Sequence, residues 1–362
     1  MRKADLLKIL DPLAGRLLLP VLSRPCPNTA HDFRRILIIR PGGIGDAVLL
    51  ASPVKLIKQS YPDTHITILA ERRNSGTFTL IPQVDKVLCY DRIGNFVQAL
   101  RDYYDVVIDT EQWYRLSAMV ARLVRAPVKI GFDSNERRSM FTHCIPYDQN
   151  AYEADNFLAL LEPLGVSVKC DAGEASLVLP PQSVSKAVEL LKPLCSDSFV
   201  VIFPGASIQE KRWGGRRFCL VAKRLAENGY KVVVVGGREE WADGNMIVGG
   251  GGLNLAGRTT LAETAAVIAR SSLMISGDSG VLHIAAGLGI PTVSLFGPSN
   301  ANKWAPKGER HVVLNHHLPC SPCSKFGSMP SCPIDLSCIK DITPDEVITA
   351  IGRLLSQPPE KK

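Results

Sequence analysis

The stretch Arg35–Pro62, RILIIRPGGIGDAVLLASPVKLIKQSYP, decides how the chain is read. Its opening, RILIIR, is a nearly unbroken apolar run, the pattern of a strand covered on both faces in a parallel sheet. Pro41-Gly42-Gly43-Ile44-Gly45-Asp46 follows, and glycines there allow a tight backbone and close approach of a ligand. AVLLASPVKLIKQSY then carries apolar residues at helical spacing. Strand, glycine turn and helix in succession form the first unit of a doubly wound α/β domain.

The same rhythm continues outward. HITILA (His65–Ala70), KVLCY (Lys86–Tyr90) and DVVIDT (Asp105–Thr110) read as further strands, with helical stretches between them, notably Leu116–Val124. Around residues 178–185, Pro180 and Pro181 suit a linker, and a helical segment follows over Lys186–Leu194. The alternation then restarts with FVVIFPG (Phe199–Gly205), a helix from Arg217 to Asn228, KVVVVGG (Lys231–Gly237), a helix over Thr260–Arg270, LMISGDS (Leu273–Ser279) and TVSLFG (Thr292–Gly297). Thr260 with Glu263 has capping-box spacing. Thr343-Pro344-Asp345-Glu346 combines an N-cap, a first-turn proline and a capping glutamate, so a last helix starts there. The expected division is an extension over 1–33, a Rossmann-like domain over 34–180, a second over 181–342 and a terminal helix over 343–362. Two such domains would face each other across a cleft at the carboxyl ends of their strands, where open α/β sheets bind ligands.

Length and composition agree with this. The chain has 362 residues, and single cores rarely grow past about 250–300. Apolar residues make up 46% and charged residues 21%, which is ordinary globular chemistry. The net charge of +7 is diffuse. It suits an anionic ligand or surface and lacks the clustered basic stripe of a nucleic-acid binder. No apolar run reaches the roughly 18 residues of a membrane-spanning helix. Residues 6–22, LLKILDPLAGRLLLPVL, are too interrupted for a secretory segment. They read either as an amphipathic segment on the inner membrane face or as a helix packed on the protein's own surface. With no signal peptide, a reducing cytoplasm is the simplest compartment for the scattered Cys26, Cys89, Cys144, Cys170, Cys195 and Cys219.

Four groups at strand ends could carry chemistry. Asp46 falls at a helix start, where the helix dipole favours an ionised carboxylate. It can cap the helix, accept a proton from a hydroxyl, or do both. The turn is not the dinucleotide fingerprint, and no acidic residue closes the next strand, so a nicotinamide enzyme is disfavoured. After Phe199–Gly205 come Ser207 and the cations Lys211, Arg212, Arg216 and Arg217, a set suited to a diphosphate, or a solvated basic loop. Asp278, Ser279, Gly280 and His283 mark a strand end running into a helix, whose first N–H groups offer a phosphate site. Ser279 and His283 share one helix face. Glu239 and Glu240 close the strand Lys231–Val235; a carboxylate there can take ribose hydroxyls or form an exposed acidic turn.

Three segments together resemble glycosyltransferase family 9, the heptosyltransferases: the opening Arg35–Pro62, PGASIQEKRW (Pro204–Trp213), and SGDSGVLHIAAGLGIPTVSLFGPS (Ser276–Ser299) with its D-[ST]-G-x-x-H signature. The resemblance runs from Arg35 to the C-terminal helix. It implies the GT-B fold of two Rossmann-like domains, with the last helix crossing back to the first. It implies inverting transfer of heptose from an ADP-activated donor to a phosphorylated glycolipid acceptor at the inner membrane face. It casts Asp46 as general base and Arg40 as a holder of the acceptor or of the base region. Lys211 would contact the leaving diphosphate, Asp278 the donor sugar, Ser279, Gly280 and His283 the donor phosphates, and Glu239 or Glu240 the ribose. Ala206 stands where the family commonly has a hydroxylated residue, with Ser207 next to it. No metal is expected for transfer, because cations and a helix N-terminus take its place. The same scaffold could use another nucleotide sugar, or bind one without turnover.

Cys320, Cys323, Cys332 and Cys338 spell C-x2-C-x8-C-x5-C. Four thiolates could hold Zn or Fe tetrahedrally in a structural role, and the alternative is four reduced thiols in a loop.

Overall fold

The computed structural model of the chain describes residues 11, 33–167, 177–195, 198–249, 251–325 and 328–356. The chain divides into two units, 1–170 and 171–362, where the sequence reading put the division after 180.

Each unit is built on a six-stranded, all-parallel sheet. In the first, β1 (Arg35–Arg40), β2 (His65–Ala70), β3 (Lys86–Cys89), β4 (Val106–Asp109), β5 (Val128–Phe132) and β6 (His143–Ile145) are ordered β3-β2-β1-β4-β5-β6. In the second, β7 (Phe199–Phe203), β8 (Lys231–Val234), β9 (Leu253–Asn254), β10 (Leu273–Gly277), β11 (Thr292–Leu295) and β12 (His311–Leu314) are ordered β12-β11-β10-β7-β8-β9. Renumbered within its unit, the second order is the first reversed. Both are therefore the doubly wound order, with the reversal of winding between strands one and four of each unit.

The apolar runs explain the layering. Ile36, Leu37, Ile38 and Ile39 are all at most 2% exposed, as a strand with helices on both faces requires. Val200, Val201 and Ile202 do the same in the second sheet at 0%. The segment around Pro180 departs from the expected linker. A helix spans Pro181–Leu191 with Pro180 at its N-cap, and Pro181 suits the first helical position because it lacks the N–H that a first turn leaves unpaired and its φ already suits a helix. The last helix, Pro344–Leu355, has the cap its sequence indicated: Glu346 N–H donates to Thr343 Oγ1 at 3.2 Å, and Thr343 N–H to Glu346 Oε2 at 2.7 Å. Its apolar face, Val347, Ala350, Ile351 and Leu354, is buried in the core of the second unit. Among the described residues no helix is long and apolar enough to cross a membrane. The stretch 6–22 lies outside the described residues apart from Asp11. That residue is buried, and its carboxylate accepts the Leu116 N–H at 2.8 Å at the start of the helix Arg115–Leu123.

Candidate active site

In the first unit, β1 delivers Arg40 to its carboxyl end, and the chain turns through Gly42 with φ +97°, a conformation that favours glycine. The helix Ile44–Leu49 begins there with Gly43 as N-cap and Asp46 in its first turn. A Cβ on Gly43 would stand 2.6 Å from Asp46 Oδ2, so the carboxylate lies directly against the glycine turn. Asp46 Oδ1 is buried and has no hydrogen-bond partner among the described residues. A buried carboxylate oxygen left without a donor is costly unless a ligand group meets it.

Arg40 is 2% exposed. Its Nε donates to Pro41 O at 2.7 Å, Nη1 to Thr110 O at 2.9 Å, and Nη2 to Glu111 Oε2 at 3.1 Å. Burial alone would lower its pKa, but the charges of Asp46, Glu111, Glu153 and Asp109 outweigh that and raise it. The guanidinium is thus a fixed cation within the field of Asp46. Of the two roles the resemblance implies for it, the geometry fits support of the base region, because three of its N–H donors are spent on protein acceptors.

Sequence reasoning missed most of the charge network around this cation. Arg137, 0% exposed, donates from Nη2 to Asp109 Oδ2 at 2.6 Å and from Nη1 to the Glu111 carbonyl. Glu153, also 0% exposed, accepts from Gln112 Nε2 and from the Tyr147 hydroxyl, both at 2.8 Å. Burial, then Glu153, pushes the Tyr147 pKa upward, so its hydroxyl stays protonated as the donor of that bond. One signal was available: Asp109 and Glu111 stand at the carboxyl end of β4, the same kind of position that drew attention to Asp46.

In the second unit, the loop after β7 and the end of β10 meet. Lys211 Nζ donates to Asp278 Oδ2 at 2.6 Å, with the two side chains 14% and 13% exposed. The reason for proximity is backbone packing: a Cβ on Gly277 would lie 3.3 Å from the Lys211 carbonyl. Trp213, 1% exposed, anchors the same loop by donating from its indole N–H to Ile342 O at 2.8 Å. Burial would raise the Asp278 pKa; Lys211, then Ser299 and His283, outweigh it and hold the carboxyl below its ordinary value.

Ser279 is the N-cap of the helix Gly280–Gly287 and accepts from Leu282 N–H at 3.3 Å, while its hydroxyl meets that of Ser276 at 2.7 Å. His283 is 4% exposed, on the side of Asp278. Ser207 is exposed on the loop after β7. The two glutamates after β8 separate. Glu239 is exposed, whereas Glu240 is 2% exposed, accepts from Gly237 N–H at 2.8 Å and lies 3.4 Å from Arg212 Nη2. The structure therefore brings Lys211, Asp278, Ser279, Gly280 and His283 to one strand end, and commits Glu240 to holding its own loop.

The four clustered cysteines are close enough to influence one another. Burial, then the neighbouring thiols, raises Cys323, and the same causes push Cys338 up to about 11. Cys332 Sγ accepts the Leu336 N–H at 3.1 Å. Among the described residues, however, no group of three or more His, Cys, Asp or Glu is arranged to hold a metal ion. Of the two readings of Cys320, Cys323, Cys332 and Cys338, a Zn or Fe sphere or four reduced thiols, the described positions show no tetrahedral grouping for the first. Cys26 and Cys170 lie outside the described residues.

Comparison with known proteins bears on this geometry. The model of glycosyltransferase family 9 (heptosyltransferase) matches residues 93–332. Lipopolysaccharide heptosyltransferase 3 of Escherichia coli is 31% identical over 287 residues, covering 72% of this chain and 83% of that protein. Lipopolysaccharide heptosyltransferase 2 of Salmonella typhimurium is 25% identical over 356 residues, covering 89% and 99%. Among solved structures, E. coli ADP-heptose lps heptosyltransferase II shares the fold with a TM-score of 0.72 at 22% identity, covering 89% of this chain and 98% of that one.

Proposed function

The chain belongs to glycosyltransferase family 9, and from that premise we propose that it transfers heptose from an ADP-linked donor to a hydroxyl of a phosphorylated lipopolysaccharide-core acceptor, with inversion. The relatives' names supply the sugar and the acceptor class. The observation that carries the chemistry is the buried, unpartnered Oδ1 of Asp46 in the first turn of its helix.

In this reading the acceptor hydroxyl attacks the anomeric carbon of the donor as the bond from that carbon to the diphosphate oxygen breaks. The hydroxyl proton passes to Asp46, and the bonding pair leaves with ADP. Lys211 and the N–H groups at the start of Gly280–Gly287 hold the charge that develops on the diphosphate. Lys211 has three N–H donors and spends one on Asp278, which leaves two for phosphate oxygens. Asp278 takes hydroxyls of the donor sugar, with Ser207, Ser279 and His283 around the phosphates. Glu239, the exposed member of its pair, takes the ribose. No divalent metal enters the reaction, and no step passes through the cysteine loop. The acceptor would be met at the cytoplasmic face of the inner membrane, by peripheral contact.

The test is transfer from ADP-heptose to a heptose-deficient core. Asp46→Ala should lower turnover by about 100-fold or more, the usual worth of a general base, while the Kd for ADP stays within a few-fold of the wild type. Near-normal turnover in that variant would refute the base. A wild-type protein that turns over only with a different nucleotide sugar would refute the donor.

A further inference from the structure

The glycine turn beside Asp46 has a second side. Gly42 and Gly43 are consecutive, so their Cα atoms are about 3.8 Å apart. The Asp46 carboxylate stands on the Gly43 side. Two guanidiniums stand on the Gly42 side: a Cβ there would lie 3.7 Å from Arg40 Nη2 and 3.8 Å from Arg73 Nη2. Gly42 has no Cβ, and its φ of +97° disfavours one, so the turn itself puts no side chain between the two cations.

The short helix Arg72–Ser75, which follows β2, delivers Arg73 to this place. Asn74, 0% exposed, donates from Nδ2 to the Arg40 carbonyl at 3.1 Å, and its Oδ1 accepts the Glu71 N–H at 2.9 Å. It thereby ties the end of β2 to the end of β1. Glu71 then aims the guanidinium, its Oε2 accepting from Arg73 Nε at 2.8 Å. The Tyr90 hydroxyl, just past β3, donates to the same carboxylate; burial, then the Glu71 charge, raises the Tyr90 pKa and keeps that hydroxyl protonated.

An exposed ion pair between near neighbours is ordinary and contributes little to stability. What sets this one apart is the part of Arg73 it does not use. Arg73 spends Nε on Glu71, and among the described residues its Nη1 and Nη2 make no hydrogen bond. Those two groups form a fork that matches two oxygens of one phosphate. The field beside them explains the need for it. The carboxylates around Arg40, with Asp46 first, outweigh the burial of that cation and raise its pKa, so the surroundings of Asp46 are on balance negative. An anionic acceptor brought next to Asp46 therefore requires a cation with donors to spare. Arg40 has three N–H donors committed to the protein; Arg73 has the fork.

We infer that Arg73 binds a phosphomonoester of the acceptor and is a specificity-determining residue, and that Glu71 is the positioning residue that aims it. Held at Gly42, the phosphate sets the acceptor sugar across the glycine turn with a neighbouring hydroxyl toward Asp46. The inference rests on reading the first unit as the acceptor side, and it is tested without the donor, so that it fails or stands apart from the transfer reaction.

Isothermal calorimetry measures binding of a deacylated, heptose-deficient core oligosaccharide, intact and after its phosphates are removed with alkaline phosphatase. The wild type should prefer the intact form about tenfold, the low end for a charge-assisted contact, because the Arg73 side chain is 48% exposed. Arg73→Gln should bind both forms alike, and Arg73→Lys should keep part of the preference. Glu71→Gln separates aim from charge. Removing a negative charge would increase the preference if charge alone acted, whereas loss of aim should reduce it. Arg72→Gln loses the same charge one residue away, in an exposed pair with Asp91, and should keep the full preference. The Kd for ADP should be the same in all of these, and Arg73→Gln should melt with the wild type. The inference is overturned by full preference in Arg73→Gln, by an equal loss in Arg72→Gln, by an increased preference in Glu71→Gln, or by a wild type that binds neither form or both alike. A wild type that shows the preference yet transfers nothing from ADP-heptose would instead refute the reaction proposed above and leave the phosphate site in place.

Discussion

Replacing Lys211 by methionine removes one charge of a pair that both the fold and the proposed donor site use. At 2.6 Å the two charges attract by about 6 kcal/mol at an effective dielectric near 20. Much of that is offset by the cost of taking both out of water. Breaking a buried pair from one side typically costs about 3–5 kcal/mol, because the remaining charge is left uncompensated. With both side chains at 13–14% exposure, Lys211→Met should lie near the lower end, about 3 kcal/mol. Asp278→Asn should cost less, since a Lys ammonium on a long stem can swing toward solvent. The double variant should be more stable than the sum of the two losses by at least about 1 kcal/mol, the coupling expected of residues in contact.

The acid dependence follows from the sign of the shift. Asp278 sits below its ordinary value in the folded chain. Its contribution is therefore complete above the ordinary carboxylate range and is lost as pH falls through the folded value. In Lys211→Met the burial that Lys211 outweighs is left to act, so acid protonates and relieves the stranded carboxylate. The difference in urea stability between wild type and Lys211→Met should be largest near pH 7 and shrink as pH falls through the carboxylate range. Binding supplies the second arm. Loss of a charge-assisted contact to the diphosphate, worth about 1.5–3 kcal/mol, should weaken ADP roughly 10- to 100-fold. Asp278→Asn should leave ADP binding equal or tighter, since it frees Lys211. Additive losses of stability, a difference independent of pH, or equal weakening of ADP by both variants would each defeat the argument.

Three further changes probe the second unit, one in the loop after β7 and two at the start of the last helix. In Gly205→Ala the new methyl would stand 2.5 Å from Glu240 Oε1 and 2.8 Å from the Phe203 ring. The loop after β7 must shift, so the variant should lose about 1–3 kcal/mol and bind ADP more weakly, read by melting temperature and calorimetry. Thr343→Ala removes the cap of the last helix and should cost about 1 kcal/mol with transfer unchanged, while Asp345→Ala, which breaks only the exposed pair with Arg224, should fall within about 0.5 kcal/mol of wild type in the same urea titration.

The sequence was a good guide wherever burial alone shapes the pattern. RILIIR and FVVIF are legible because a strand covered on both faces must be apolar throughout. β5 was not, because VKIGF carries Lys129 at its second position. That lysine is 3% exposed and is accommodated by donating to Ala121 O at 2.9 Å and to the Val124 carbonyl. A charged residue reads as solvent-facing until the acceptors that bury it are known. The two-residue β9 and the short β12 gave too little pattern to register. The residues proposed for the donor were legible as a group for the opposite reason: Lys211 and the run from Asp278 to His283 each lie in a local motif. The network about Arg40 draws Asp109 with Glu111, Arg137 and Glu153 from three separate places in the chain, and only the tertiary fold brings them together.

The placement of these groups has a common cause. Both sheets have the same strand order, so each unit reverses its winding between its first and fourth strands. Connections leave those two strands toward opposite faces, and the space above their carboxyl ends stays uncovered by helices. In the first unit the residues just beyond those ends are Asp46 after β1 and Glu111 after β4. In the second they are Lys211 after β7 and Asp278 with Ser279 after β10. Each unit also pairs a cation with a carboxylate across that gap, Arg40 with Glu111 and Lys211 with Asp278. The burial of the two pairs differs in a way that matches their proposed tasks. Arg40 is enclosed, so its charge acts through its field on Asp46. Lys211 keeps N–H donors beyond its carboxylate partner, so its charge can pass to a departing diphosphate. One topology, used twice, thus yields a fixed field where the proposed reaction takes a proton and an adjustable one where it releases the diphosphate.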